Sequence, residues 1–164
     1  AHASALPRRI RALARAAPAG PGHAAGVGAR GADAALLVNA SVGNVLEMDD
    51  VHRVAILHPG PVVIPAALAV AERVDADGKA LLDAIVRGYE AMIRIGASLG
   101  RGHYAYWHPT STAGAFGAAA AAASLLGLDA ARTADALGTA GSRTGGLWQM
   151  RHEAVPTKSL HNVD

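Results

Sequence analysis

A chain of 164 residues can bury a real core, and leaves little room for a second domain. Apolar residues make up 51% and charged residues 17%, which excludes a disordered chain, and a formal charge of +2 is too small to argue for nucleic acid. The absence of cysteine excludes disulfides, a thiol nucleophile and an iron–sulfur cluster held by thiolates.

Aromatics are only 4%, so the core must be packed by close approach of small side chains more than by large rings. The abundant alanine favours helix. Residues 4–17, SALPRRIRALARAA, set arginines among apolar residues at helical spacing, and Pro18 closes the run. The next stretch, PAGPGHAAGVGARG, reads as a connecting loop, with His23 a surface residue and not a ligand. A helix is expected from about Ala32 to Met48, with Asp33 in the first turn, where a negative charge suits the helix dipole. Asn39 and Asn44 on it should face a partner or a cavity.

Residues 46–60, LEMDDVHRVAILHPG, hold the densest set of proton-moving groups in the chain: Glu47, Asp49, Asp50, His52 and His58. The prolines and glycine of HPGP make this a loop at a helix end, the usual place for functional groups. VVIPAALAVAERV continues as a helix in which Pro61 suits the first turn and Pro65 implies a kink or a late start. DADG marks a turn. Residues 79–99 then carry Leu81, Leu82, Ile85, Val86, Tyr89, Met92, Ile93 and Ile95 at helical steps.

GRGHYAYWHPT interrupts that pattern with a second group of aromatics and imidazoles around His108 and Thr110. From about Ser111, STAGAFGAAAAAASLLGL is nearly all small residues and predicts a helix buried on most sides, with Gly127 at its cap. Asp129 opens a further helix to about Ala140. GSRTGGLWQM reads as a glycine-marked turn or short helix, and PTKSLH, with Lys158, begins a last element. The expectation is an all-α bundle of six or seven helices over residues 1–164, without a convincing strand. The apolar runs are too short for a membrane span, and no signal-peptide layout opens the chain, which places it in the cytoplasm.

Imidazole titrates nearest neutrality, so two in one pocket can act as base and acid, and a lysine can hold a substrate carboxylate or a developing anion. There is no HExxH arrangement for a metal, no nucleophile elbow around a serine, and no glycine-rich loop after a strand for a dinucleotide.

The motifs LEMDDVH, HPGPVVIPAALAVAE, GYEAMIRIG, WHPTSTAGAFGAAAAAASLLGLD, ALGTAGSRTGGL and TKSLH, in that order, resemble the MmgE/PrpD family, which includes 2-methylcitrate dehydratase and cis-aconitate decarboxylase. The resemblance runs from about Pro21 to His161. It implies part of a large helical domain without the smaller α/β lid, no metal or organic cofactor, and dimerisation or a second chain that completes the site. It further implies proton abstraction beside a carboxylate of a small di- or tricarboxylic acid, with loss of water or carbon dioxide. A non-catalytic partner subunit, or an isomerase or cyclase on another small acid, stands as an alternative. His58, His108 and Lys158 fall on active-site positions of the family, and Glu47, Asp49, Asp50, His52 and Thr110 are expected to bind substrate. Where cis-aconitate decarboxylases carry threonine directly after the aspartate pair, this chain has Val51.

Overall fold

The computed structural model describes residues 5–152, 155 and 157–163. Seven helices lie within them: α1 (Ala5–Ala16), α2 (Ala32–Gly43), α3 (Gly60–Val74), α4 (Gly78–Ser98), α5 (Arg101–Tyr106), α6 (Pro109–Leu125) and α7 (Ala130–Gly141). A 3-10 turn at Trp148–Arg151 and a single helical turn, α8 (Thr157–Leu160), follow. The bundle is all-α in character, as the composition predicts. Its first helix was expected from Ser4, which lies outside the described residues.

Helix ends fall where the capping chemistry puts them. Asp77 and Asp129 accept hydrogen bonds from the backbone of Ala80 (2.7 Å) and Arg132 (2.8 Å), so α4 and α7 each begin on a side-chain cap. Gly127, at φ +62°, releases the chain after α6. Helix α3 begins at Gly60, with Pro61 in its first turn, and runs on through Pro65, so the late start allowed by that proline does not occur.

Two expectations are corrected. Residues 18–31 are not all loop: β1 (Gly22–Ala24) pairs antiparallel with β2 (Gly28–Arg30), Gly22 opposite Arg30. Three-residue strands carry too little alternation to be read from sequence. This hairpin is held instead by distant partners. Asn39 accepts from the Ala25 N–H (2.9 Å) and donates to the His23 carbonyl (2.8 Å), while the His23 ring meets Glu72 at 2.7 Å. The second correction is that α2 ends at Gly43 and not near Met48. Asn44 turns its side chain to Asp49, and Glu47 takes a left-handed backbone at φ +52°, which ends helical continuation.

Helix α4 packs against α6, and α3 lies against both. The core between them holds Leu57, Val62, Val63, Ala67, Met92, Ala113 and Ala121. None of the residues of α6 is exposed, as a helix of small side chains predicts. At the crossing of α4 and α6, a Cβ on Gly88 would stand 2.9 Å from the Gly117 carbonyl oxygen, and one on Gly117 would stand 2.8 Å from the Met92 Cβ. The two backbones therefore touch. A second cluster, Ile10, Ala14, Ala24, Ala35 and Val38, seats α1 and the hairpin on α2. Among the described residues no helix is long and apolar enough to cross a membrane.

Candidate functional site

The loop between α2 and α3, residues 44–59, is shaped by its own side chains. Asn44, 2% exposed, donates to Asp49 Oδ1 at 2.7 Å, and Asp49 Oδ2 lies 2.7 Å from His58 Nδ1. A carboxylate only accepts, so His58 carries a proton on Nδ1, and in the neutral ring Nε2 is the basic edge. With Asp49 saturated from one side by an amide, the pair forms an oriented Asp–His dyad.

Asp50 does a different job. Its Oδ1 accepts from the Gly60 N–H at 3.2 Å, one of the unpaired amides at the start of α3, and it also accepts from the Tyr89 hydroxyl. Burial, and then the Asp50 charge, push the Tyr89 hydroxyl up to about 12, so it stays a donor. A Cβ on residue 60 would collide with the Asp50 carboxylate, which is why a glycine stands there. His52 turns back into its own loop: its Nδ1 accepts from the Ala55 N–H at 3.2 Å, and its backbone N–H donates to the Leu57 carbonyl at 2.9 Å. That closure carries Ile56 into a left-handed conformation at φ +52°.

The second segment arrives through Thr110. This residue is fully buried in the first turn of α6, and its Oγ1 accepts from the His58 backbone N–H at 3.1 Å. The bond ties the loop to the start of α6, where His108 is the residue before the helix. His108 is 3% exposed. Its backbone N–H donates to the Gly146 carbonyl at 2.7 Å, and its ring lies 4.5 Å from the Trp148 ring and 5.4 Å from that of His161. Burial, followed by the positive influence of His161, Lys158 and His58, pushes the His108 imidazole down to about 3, so it is neutral at ordinary pH.

The third segment is α8. Lys158 Nζ pairs with Glu47 at 2.5 Å, joining residues 111 positions apart, and both groups remain partly open to solvent. His161, one turn on, is 9% exposed, and its Nδ1 lies 3.2 Å from His108 Nδ1. The structure thus gathers Glu47, Asp49, His58, Thr110, His108 and Lys158. Asp50 and His52 flank the group with their side chains engaged in building the loop.

Four contributors escaped the sequence reading: Asn44 as the partner of Asp49, Tyr89 as the partner of Asp50, and Trp148 and His161 around His108. For His161 there was a signal, since it lies three residues after Lys158 and so falls on the same side of a helical turn. Trp148 gave none beyond its rarity. A cleft of about 450 Å³ also opens between α2 and α3 beside Asn39, Asp49, Asp50 and Leu68. Its charged lining groups are the two aspartates, so its electrostatics disfavour a polycarboxylate. Among the described residues no group of three or more His, Asp or Glu is placed to hold a metal ion.

What this arrangement can do is move one proton at a basic imidazole edge while a neutral imidazole and an ammonium stand beside it. Residues 3–163 match the MmgE/PrpD N-terminal domain. The cis-aconitate decarboxylase-like protein oryM of Aspergillus oryzae is 34% identical over 144 residues, which cover 80% of this chain and 29% of that protein. Cis-aconitate decarboxylase of Aspergillus terreus is 33% identical over 140 residues, covering 78% of this chain and 28% of the relative. The chain therefore spans less than a third of the length of the curated relatives it matches. With residues 3–163 of its 164 matched to the family's N-terminal domain, the chain belongs to the MmgE/PrpD family.

Proposed function

We propose that this chain carries the proton-transfer part of a lyase site that works on a small di- or tricarboxylic acid, such as cis-aconitate or 2-methylcitrate, without metal or organic cofactor. The observation that carries the reading is the Asp49–His58 dyad set beside neutral His108 and Lys158, from three separate segments. In dehydration, His58 Nε2 takes the proton from the carbon next to a carboxylate. The electron pair left behind forms the double bond as the neighbouring C–O bond breaks, and the His58 imidazolium returns the proton to the departing oxygen as water. In decarboxylation the protonated imidazole delivers its proton to carbon as the bond to carbon dioxide breaks. Lys158 would exchange Glu47 for a substrate carboxylate, an exchange favoured by the partial exposure of both groups. The match to relatives named for cis-aconitate decarboxylation supports this reading at the level of the family.

The loop also presents Leu46, Met48, Val51 and Val54 to solvent, each more than half exposed. We assign this face to the remainder of the site, supplied by further sequence of the same polypeptide, by a second copy or by a second chain. The test is to follow a panel of di- and tricarboxylates by proton NMR with the purified protein and its co-purifying chains. Formation of an unsaturated acid, or release of carbon dioxide, that disappears in His58→Gln supports the proposal. Equal turnover by His58→Gln, or none by the complete assembly, would sink it and leave the non-catalytic reading.

A further inference from the structure

His108 and His161 face each other through Nδ1 atoms 3.2 Å apart, both rings buried. Two nitrogens of this kind bond only when one ring carries the proton and the other offers a lone pair. Whichever ring donates, the proton on the far side of His108 is then fixed, because a neutral imidazole holds one proton. If His108 donates, its Nε2 is a bare lone pair. If His161 donates, His108 Nε2 carries an N–H.

The neighbouring dyad distinguishes these cases. Asp49 already fixes a proton on His58 Nδ1, so the neutral form of that ring offers its lone pair at Nε2. Two lone pairs side by side would offer a carboxylic acid substrate a base but no polarised N–H. One lone pair and one N–H would match a substrate that presents both an acidic C–H and a carboxylate oxygen. We propose that His161 is a positioning residue that donates from Nδ1 to His108 Nδ1 and so locks His108 as the Nε2–H form, a neutral hydrogen-bond donor toward substrate.

This inference rests on the proposed lyase reading for its direction, and on the Nδ1-to-Nδ1 contact for its existence. Burial supports it, since a ring held uncharged next to Lys158 keeps a single proton to place. Trp148 supports it too: its ring, 4.5 Å from His108, closes one face and restrains the imidazole from rotating. His108 then polarises a substrate oxygen as an N–H donor and never has to surrender its proton.

The experiment is long-range proton–nitrogen correlation NMR on protein labelled at histidine nitrogens, with the His108 signals assigned by their loss in His108→Gln. The expected spectrum shows a pyridine-type Nδ1 and a pyrrole-type Nε2 for His108 near neutral pH. His161→Phe should scramble that pattern and lower kcat on the order of tenfold, while His161→Asn, which keeps an N–H donor, should restore both. A pyrrole-type Nδ1 on His108 in the unsubstituted protein, or an unchanged pattern in His161→Phe, overturns the proposal. Should His161→Phe fail to fold, the spectrum of the unsubstituted protein decides alone. Since the spectrum needs no turnover, the predicted tautomer in a protein that processes no carboxylate would refute the lyase reading and leave the His161 contact standing.

Discussion

The crossing of α4 and α6 and the loop 44–59 are built on opposite plans. At the crossing, Gly88 and Gly117 bring two backbones into contact, and the surrounding Ala113, Ala121, Val63 and Met92 supply only shape. In the loop, Ala55 and Leu57 reach the core, and the rest is shaped by hydrogen bonds. Asn44, Asp49, Asp50 and His52 each bond to a named partner, two residues sit at positive φ, and five large apolar side chains face solvent. A region that must place acids and bases gives up regular structure, because helix geometry offers few ways to converge three segments. The crossing gives up side chains at Gly88 and Gly117, because close backbone contact is what keeps those segments in place.

If the comparison is right, the two regions fail in different ways. The largest effect is expected at the loop's basic edge. His58→Gln removes the lone pair that Asp49 orients, and should lower turnover of a productive carboxylate by about a thousandfold, with stability little changed. Steady-state kinetics beside urea denaturation separates the two quantities. A variant that unfolds as readily as it loses activity would show that the loop is scaffold and not site.

Next in size, Gly117→Val should destabilise by roughly 3 kcal/mol. Its first added carbon already stands 2.8 Å from the Met92 Cβ and 3.1 Å from the Gly88 carbonyl oxygen. Activity per folded molecule should survive at low temperature. A stable variant would mean that the helices can part without cost, and the crossing would lose its place as the rigid element.

These two regions were also unequally legible. The alanine and glycine run from Ser111 onward predicts a helix buried on most sides, and no residue of α6 is exposed. The turn at DADG and the cap at Asp129 were readable because their chemistry is local. The hairpin at residues 22–30 was not, since its partners Asn39 and Glu72 are 14 to 49 positions away, and sequence pattern reports neighbours. In the site, His58, His108 and Lys158 were visible as residue types in loop motifs, while the division of labour between Asp49 and Asp50 was not. Adjacent and identical in sequence, they face different partners: an imidazole in one case, a helix amide and a phenol in the other.

Acid should expose the next effect, again from the site. The His108 pKa is near 3 in the folded protein and about 6.5 when unfolded. Above pH 6.5 neither state binds this proton, and stability is at its full value. As pH falls toward 3 the unfolded chain takes up the proton first, and folding weakens by up to about 1.4 kcal/mol per pH unit. Denaturation midpoints between pH 6.5 and 5, above most carboxylate titrations, should fall in the unsubstituted protein and fall less in His108→Gln. Equal slopes would show that His108 is not held neutral by burial.

The smallest effect is the most discriminating. His52 was expected among the substrate-binding residues, yet its Nδ1 accepts from Ala55 N–H within the same loop. His52→Ala strands that amide, for a cost of about 1 kcal/mol. If the imidazole only builds the loop, KM and kcat should move together and slightly, as small changes in loop geometry reach His58 through the 52–57 closure. If it also binds substrate, KM should rise well beyond any change in kcat, on top of the same small loss of stability. The two outcomes assign His52 to the frame or to the site, and they decide whether the Asp49–His58 dyad works alone in the loop or has a second imidazole beside it.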